Sequence, residues 1–468
     1  VQLIDLRAQA VTPVDLPDPT RMQVVALAWS PQGKLLIDRM SDDNTERALH
    51  IVTPGQPPRR VWHDVRKTRI YTEAASTWSA DGGQILMTGD LDDRYRIYNI
   101  DLEPSGTLHP LTPADADAHG PALPLPSAKG SGDFLFVAGA PDPSERHVWR
   151  AFSDRPAVRL TQRPGTHRAW LAPDGRTIAT IFSSDTEPPE LWLRSISGDR
   201  RRQVTQGGTE RLSSAQIAAP RYVRIPGPSG GTLHAKVWRP RVEPAPVLFG
   251  PVYVNTVRNR WSARWGLLVQ LLVQRGYVVT QVDVRGSTGY GRDFREQFLE
   301  GWGDRDLDDL EASKAWFAQQ TWADTTTTGV FGSSYGGLVG VYALLTRPGL
   351  FDAAVAGAPA TDPRFFGSDD VAITRWPRRH RQALARRASN FAQGLTGHLM
   401  IIHGLRDDVV PFKTTVDLAE ALMQARKDFD LVVAPGATHR WTGQRHHARY
   451  LLNKLLQHFD RHVPIRSH

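Results

Sequence analysis

The chain has 468 residues, 40% hydrophobic and 23% charged, with a formal net charge of +8. That length exceeds what one hydrophobic core usually serves, so two domains are expected, and no apolar run reaches the roughly 18 residues of a membrane-crossing helix. The absence of cysteine excludes a disulfide framework, a thiolate metal site and a cysteine nucleophile.

The chain opens Val1-Gln2-Leu3-Ile4-Asp5, without the basic start and apolar stretch of an export signal. A turn then recurs: Trp29-Ser30-Pro31-Gln32-Gly33, Trp78-Ser79-Ala80-Asp81-Gly82, Ser127-Ala128-Lys129-Gly130 and Ala172-Pro173-Asp174-Gly175. The turn glycines are 49, 48 and 45 residues apart, close to the roughly 40–50-residue period of propeller blades. Each turn leads into a strand-like run: Leu35–Ile37, Gln84–Met87, Phe134–Val137 and Thr177–Phe182. Residues 1–218 are therefore read as a partial β-propeller of about four blades.

From Ala219 strands alternate with helical stretches, which predicts an α/β domain over residues 219–468, with a mostly parallel sheet and helices on both faces. The expected strands are Leu233–Trp238, Val247–Asn255, Val278–Val284, Gly329–Gly332, Ala353–Ala358, Leu399–His403 and Leu431–Ala434. Helices are expected over Trp261–Gln274, Asp306–Gln319, Gly336–Leu345, Thr415–Lys427 and Gln444–Phe459. Arg375, Arg378, Arg379, Arg381, Arg386 and Arg387 read as a solvated helix face. No nucleic-acid-binding signature accompanies them, so no nucleic-acid partner is expected.

Gly332-Ser333-Ser334-Tyr335-Gly336 lies between an expected strand and an expected helix, the setting of a nucleophile elbow, with Ser334 as the nucleophile. A serine hydroxyl needs a base to take its proton and a carboxylate to orient that base. Both follow in chain order, each just past a strand: Asp407 or Asp408 after Leu399–His403, then His439 after Leu431–Ala434. Spacing alone does not choose between the adjacent carboxylates. His403 reads as buried within its strand. His446 and His447 read as an exposed helix end rather than a metal site, and no metal or cofactor is called for.

With these motifs the chain resembles the prolyl oligopeptidase family of serine peptidases, in which a β-propeller accompanies an α/β-hydrolase domain. The dipeptidyl peptidase IV branch is resembled at Trp62-His63-Asp64, at Ala75–Gly82 and at Tyr95-Arg96-Ile97-Tyr98. Asp283–Gly291, Gly301-Trp302-Gly303 and Asp309 lean toward the acylaminoacyl-peptidase branch, with Arg285 and Asp309 read as structural. By resemblance, His403–Asp408 corresponds to the family's His-Gly-x-x-Asp-Asp segment, which favours Asp407 as the acid. Val252-Tyr253 similarly implies an oxyanion hole made by the Tyr253 hydroxyl and the Tyr335 backbone N–H. Phe366, Trp376 and Val410 are implied as substrate-binding, with Tyr335 adding to an aromatic wall.

The chain also departs from the family. Val254-Asn255-Thr256 replaces Gly-Gly-Pro, and Val409 stands where dipeptidyl peptidases carry an Asn. The amine-gripping glutamates belong to propeller sequence this chain does not contain. A missing N-terminal propeller portion or a homodimer is an implied partner, beside an oligopeptide substrate. The resemblance leans toward a periplasmic rather than cytoplasmic setting. The activity expected is cofactor-free release of short N-terminal units from peptides. The alternatives are acylaminoacyl-peptidase, oligopeptidase or esterase chemistry on the same residues, and a weakly catalytic peptide-binding scaffold.

Overall fold

The computed structural model describes the chain except residues 18–20, 71–74, 103–104, 127–131, 199, 209–216, 229, 255–256, 298, 300, 302, 368–380 and 466–468. The turn at Ser127–Gly130, Asn255, Thr256, Trp302, Arg375, Trp376, Arg378 and Arg379 thus lie outside the described residues. The chain divides into two compact units, one of Val1–Ser213 with Arg258–Arg260 and Gly289–Asp293, the other of the remaining residues.

In the first unit a hairpin of β1 (Gln2–Asp5) and β2 (Ala10–Pro13) precedes four antiparallel sheets of four strands each. These are β3–β6 (Met22–Trp29, Leu35–Ser41, Glu46–Val52, Arg59–Val65) and β7–β10 (Ala75–Trp78, Ile85–Asp92, Arg94–Leu102, Ser105–Pro110). They continue with β11–β14 (Ala118–Pro124, Phe134–Ala138, His147–Ala151, Val158–Arg159) and β15–β18 (Thr166–Leu171, Thr177–Ser183, Glu190–Ser195, Arg201–Gln203). This is a run of propeller blades. The recurrent glycine closes the first turn of a blade: Gly33, Gly82 and Gly175 have φ of 74°, 69° and 63°, a conformation that favours glycine. Their N–H groups return to the carbonyls of Ser30, Ser79 and Ala172 at 3.0, 2.9 and 3.0 Å.

Consecutive blades share apolar layers because strand side chains alternate between faces. Ile85 and Met87 of β8 pack with Leu36, Leu49 and Ile51 of the preceding blade. Leu86 between them packs with Phe134 and Phe136 of the following one. Asp38 and Arg47 form a buried bidentate pair at 3.0 and 2.7 Å. Ser76 and the Thr88 carbonyl of the next blade bond to that pair at 2.7 and 3.0 Å, so no buried charge is left alone.

The second unit is built on an eight-stranded sheet: β19 (Arg221–Pro226), β20 (Thr232–Trp238), β21 (Ala245–Val252), β22 (Val278–Asp283), β23 (Ala323–Ser333), β24 (Ala353–Gly357), β25 (His398–Gly404) and β26 (Asp430–Ala434). Their spatial order is β19-β20-β22-β21-β23-β24-β25-β26. The first two pairings are antiparallel and the rest parallel, giving the α/β-hydrolase arrangement. Strands buried on both faces explain the continuous apolar runs in the sequence. Phe249, Val330 and Ile401 face one core with the helices Arg305–Phe317, Tyr335–Thr346 and Lys413–Gln424. Leu248, Phe331 and Ile402 face the other, with Trp265–Arg275 and Arg445–His462.

Two strands differ from expectation. β19 was not expected, because Arg221-Tyr-Val-Arg-Ile-Pro alternates polar with apolar residues as a one-sided edge strand does. β23 begins at Ala323, well before Gly329, since its threonine-rich first half is strand-forming without being apolar. Of the described arginines of the cluster, Arg381 is exposed and the other two are paired. Arg386 pairs with Asp304 at 2.8 Å and Arg387 with Asp362 at 3.3 Å. Among the described residues no helix is long and apolar enough to cross a membrane.

Candidate active site

Ser334 sits between β23 and the helix Tyr335–Thr346 with φ 61° and ψ −119°, in the positive-φ region that a non-glycine residue adopts only when its surroundings enforce it. The enforcing contacts are backbone to backbone. The Ser334 N–H donates to the Gly357 carbonyl at 2.8 Å, and its own carbonyl accepts from Leu338 at 3.0 Å. A Cβ on Gly332 would lie 2.7 Å from the Gly336 backbone, one on Gly337 2.7 Å from the Gly357 oxygen, and one on Gly336 would overlap the Val252 carbonyl. The glycines therefore let the helix start against the ends of β21 and β24.

This closeness brings Tyr253 to the elbow. Val252 is in register with Gly332, and Tyr253 is the next residue. Its ring meets the Tyr335 ring edge-on, centroids 5.6 Å apart at 83°. Tyr253 is 43% exposed whereas Tyr335 is 4% exposed. The Tyr335 hydroxyl donates to Asp306, which is fully buried and also accepts from Leu307 N–H at 2.9 Å. Burial pushes the Asp306 carboxyl up to about 6 against these hydrogen bonds. Burial and the neighbouring Asp306 push the Tyr335 phenol well above its ordinary value, so the hydroxyl remains a donor. Arg285 and Asp309 form a buried pair at 2.8 Å nearby.

Asp407 and His439 come together: His439 Nδ1 lies 2.9 Å from Asp407 Oδ2 and 3.1 Å from Oδ1. The Asp407 side chain has no solvent exposure. Its Oδ1 accepts the N–H groups of Val409 and Val410 at 2.9 and 2.8 Å, and His403 Nε2 lies 3.1 Å from Oδ2. Burial alone would raise this carboxyl, but the bonds from His403, His439, Val409 and Val410 outweigh it and hold it well below the usual carboxylate range. It is an anion with four donors. Asp408 is exposed, so of the two adjacent carboxylates only Asp407 meets His439.

The loop carrying His439 is tied to the sheet. Arg406 and Leu405 N–H groups donate to Ala437 and Ala434 carbonyls at 3.0 and 3.2 Å. The Trp441 indole, 1% exposed, donates to the Ser333 hydroxyl at 3.1 Å and packs on Gly357, where an added Cβ would lie 2.8 Å from the indole nitrogen. Of the residues expected to bind substrate, Phe366 is 5% exposed within the apolar core, and Trp376 is outside the described residues. Val410 turns its N–H to Asp407 and its carbonyl to His403 at 3.0 Å.

Reading the sequence missed His403, Asp306 and Trp441 as supports of this site. His403 reads locally as one more buried strand residue; only its position four residues before Asp407 hinted at contact. His403 Nε2 faces a carboxylate and a carbonyl, so it carries the proton, while Nδ1 accepts from the Thr415 hydroxyl at 2.8 Å. His446 and His447 start the last helix with rings 4.1 Å apart. Among the described residues no cluster of three or more His, Asp or Glu side chains is arranged to hold a metal.

Comparison with known proteins matches residues 261–465 to the prolyl oligopeptidase family. The chain is 26% identical to mouse dipeptidyl peptidase 8 over 332 residues, covering 65% of this chain and 37% of that protein. It is 28% identical to a probable dipeptidyl-aminopeptidase B of Uncinocarpus reesii, covering 91% of this chain and 49% of that one. It thus spans less than half the length of these relatives. The crystal structure of Porphyromonas gingivalis dipeptidyl peptidase 4 superposes with a TM-score of 0.86 at 23% identity, covering 98% of this chain and 66% of that one. A dipeptidyl aminopeptidase IV-like structure from Bacteroides ovatus gives 0.84 at 17% identity, covering 98% and 69%. At such identities these two likenesses establish the fold.

Proposed function

Because residues 261–465 belong to the prolyl oligopeptidase family, we propose that this chain is a serine peptidase that releases short N-terminal units, dipeptides first among them, from oligopeptides. The observation that carries the reading is the hydrogen bond of 2.9 Å from His439 Nδ1 to a carboxylate sealed from solvent, in a fold whose strand-to-helix turn holds Ser334 at positive φ.

The chemistry follows from those groups. With Nδ1–H committed to Asp407, His439 Nε2 is the basic nitrogen and takes the Ser334 hydroxyl proton as Oγ attacks the scissile carbonyl. Asp407, anionic through its four donors, stabilises the imidazolium that results. The Tyr253 hydroxyl and Tyr335 N–H receive the negative charge developing on the carbonyl oxygen; one such donor is worth about 3–4 kcal/mol of barrier. His439 returns the proton to the leaving amine, leaving an acyl-enzyme on Ser334. Water activated by the same imidazole then releases the acid.

The test is a panel of dipeptidyl coumarylamides with proline, alanine or a bulkier residue before the scissile bond, each with a free or acetylated amine. Release from free-amine substrates alone supports the dipeptidyl reading, and release from acetylated substrates alone replaces it with oligopeptidase activity. Cleavage of a p-nitrophenyl ester run beside the panel, with cleavage of no amide in it, refutes peptidase function.

A further inference from the structure

Next to the His439 loop lies a cation that has no carboxylate partner among the described residues. Arg264, at the start of the helix Trp265–Arg275, places its guanidinium carbon 4.9 Å from the Trp265 ring centroid and 5.3 Å from that of Trp441. The two indoles meet edge-on at 6.1 Å. The Arg264 Nε and one terminal nitrogen are buried and donate to nothing, although the residue as a whole is only partly buried. Buried N–H donors of a charged group nearly always have acceptors, because leaving them bare costs more than for neutral groups. Indole faces offset the charge in part but accept none of the in-plane hydrogen bonds of a guanidinium.

The neighbourhood adds to the charge. Arg440, exposed and adjacent to His439, lies near enough to Arg264 to lower its pKa, burial being the larger cause. Among the described residues neither guanidinium has a carboxylate partner. Like charges gathered against two indoles, Trp441 buried and Trp265 partly exposed, favour an anion there.

The neighbours of Arg264 join it to the residues assigned to catalysis. Trp441, on which Arg264 stacks, bonds Ser333 beside Ser334, and Arg440 follows His439 in the chain. In the reaction proposed above His439 hands a proton to the leaving amine, so the leaving peptide passes that imidazole and meets Arg440 and Arg264 next. We propose that Arg264, assisted by Arg440, is a carboxylate-binding subsite that selects peptides bearing a negative charge shortly after the scissile bond. The terminal nitrogen of Arg264 that is not buried, together with the exposed Arg440 guanidinium, presents the N–H donors that meet a carboxylate. Its source is either an acidic side chain or the C-terminal carboxylate of a short peptide. The proposal rests on the peptidase reading for its orientation, and its test is chosen to stand apart from it.

Four peptides, identical up to the scissile bond, carry Glu or Gln after it and end in a free acid or an amide. Charge-assisted hydrogen bonds to a partly buried cation should raise kcat/KM for a charged leaving segment about 10- to 100-fold over the doubly neutral peptide, chiefly through KM. Arg264→Gln should bring that ratio to about one, Arg264→Lys should restore only part of it, and Arg440→Gln, at an exposed position that folding does not depend on, should reduce it severalfold. A preference that follows Glu assigns the side chain as the anion, one that follows the free terminus assigns the terminal carboxylate, and either supports the subsite. Calorimetric titration of the same peptides into Ser334→Ala protein reads the charge preference without turnover, so failure of the peptidase reading leaves this test intact. Equal affinity for charged and neutral peptides, or a preference unchanged in both Arg264→Gln and Arg440→Gln, overturns the subsite.

Discussion

Replacing His403 with Phe separates what the site needs from what the fold needs. The substitution keeps the ring volume and its edge-on contact with Phe412, centroids 5.3 Å apart at 76°, but deletes the polar contacts to Asp407, Val410 and Thr415 at 3.1, 3.0 and 2.8 Å. The Val410 carbonyl loses the imidazole as partner in a buried setting, at about 1–3 kcal/mol. The Thr415 hydroxyl can turn to a carbonyl of its own helix, so the total loss of stability should lie near 2 kcal/mol. Asp407 keeps His439 and the N–H groups of Val409 and Val410. Losing one donor moves its pKa back toward 3.8, and it remains an anion at pH 7. Any fall in turnover therefore reports orientation of the carboxylate rather than its charge, and misplacement of this kind costs about 10- to 100-fold. Urea unfolding followed by tryptophan fluorescence, with kcat on a dipeptidyl coumarylamide, measures both quantities. Stability lost as expected with kcat within about twofold of native would refute the claim that His403 holds Asp407 for catalysis.

Four further substitutions probe the framework. Gly336→Ala forces a Cβ into the Val252 carbonyl and should cost at least about 1–3 kcal/mol together with most reactivity at Ser334, whereas Gly340→Ala, whose Cβ would meet Ala354 and Val330 at 3.8 Å, should gain about 0.5–1 kcal/mol; thermal unfolding of the two variants distinguishes them. Asp38→Ala leaves Arg47 charged and 1% exposed in the first unit, an expected loss of about 3–5 kcal/mol by urea unfolding, and a loss under about 1 kcal/mol would mean the pair contributes little. His167 is 1% exposed, and burial lowers its pKa from 6.5 to about 4. The unfolded chain therefore takes up the proton first, and stability is full above pH 6.5 and lost as pH falls toward 4. Between pH 7 and 5 the native protein should lose about 2 kcal/mol more than His167→Phe, and equal losses would remove His167 as the cause. Asp306 and Asp309, raised to about 6, work in the opposite sense over part of that window, which is why the difference between native and variant, rather than either curve, is the quantity to compare.

The parts of this structure that were legible in the sequence have local causes. Strands β21 to β25 show as apolar runs because both faces are buried, and the blades show through glycines that their turns require at positive φ. The edge strand β19 lacked the first signal. Apart from His403, four residues before Asp407, the supports of the site and of the blades lack any local signal, since they join separate elements. Trp441 meets Ser333, Tyr335 meets Asp306, and Arg47 meets Asp38 with Ser76 and Thr88 across a blade boundary. The neighbouring carboxylates Asp407 and Asp408 look equivalent in sequence, and the contrast arises only when the loop folds the N–H groups of Val409 and Val410 onto the first. Phe366 is implied as a pocket residue by the family resemblance, whereas its burial in the core depends on elements packed around it.

The central claim is that Ser334 is a nucleophile activated by His439 and Asp407. Intact-mass analysis after incubation with a fluorophosphonate tests it most directly, because labelling needs an activated serine whatever the peptide specificity. The expected result is a single adduct on the native chain, lost in Ser334→Ala and slowed by orders of magnitude in His439→Ala. An absent adduct, or one that persists in Ser334→Ala, would contradict the account.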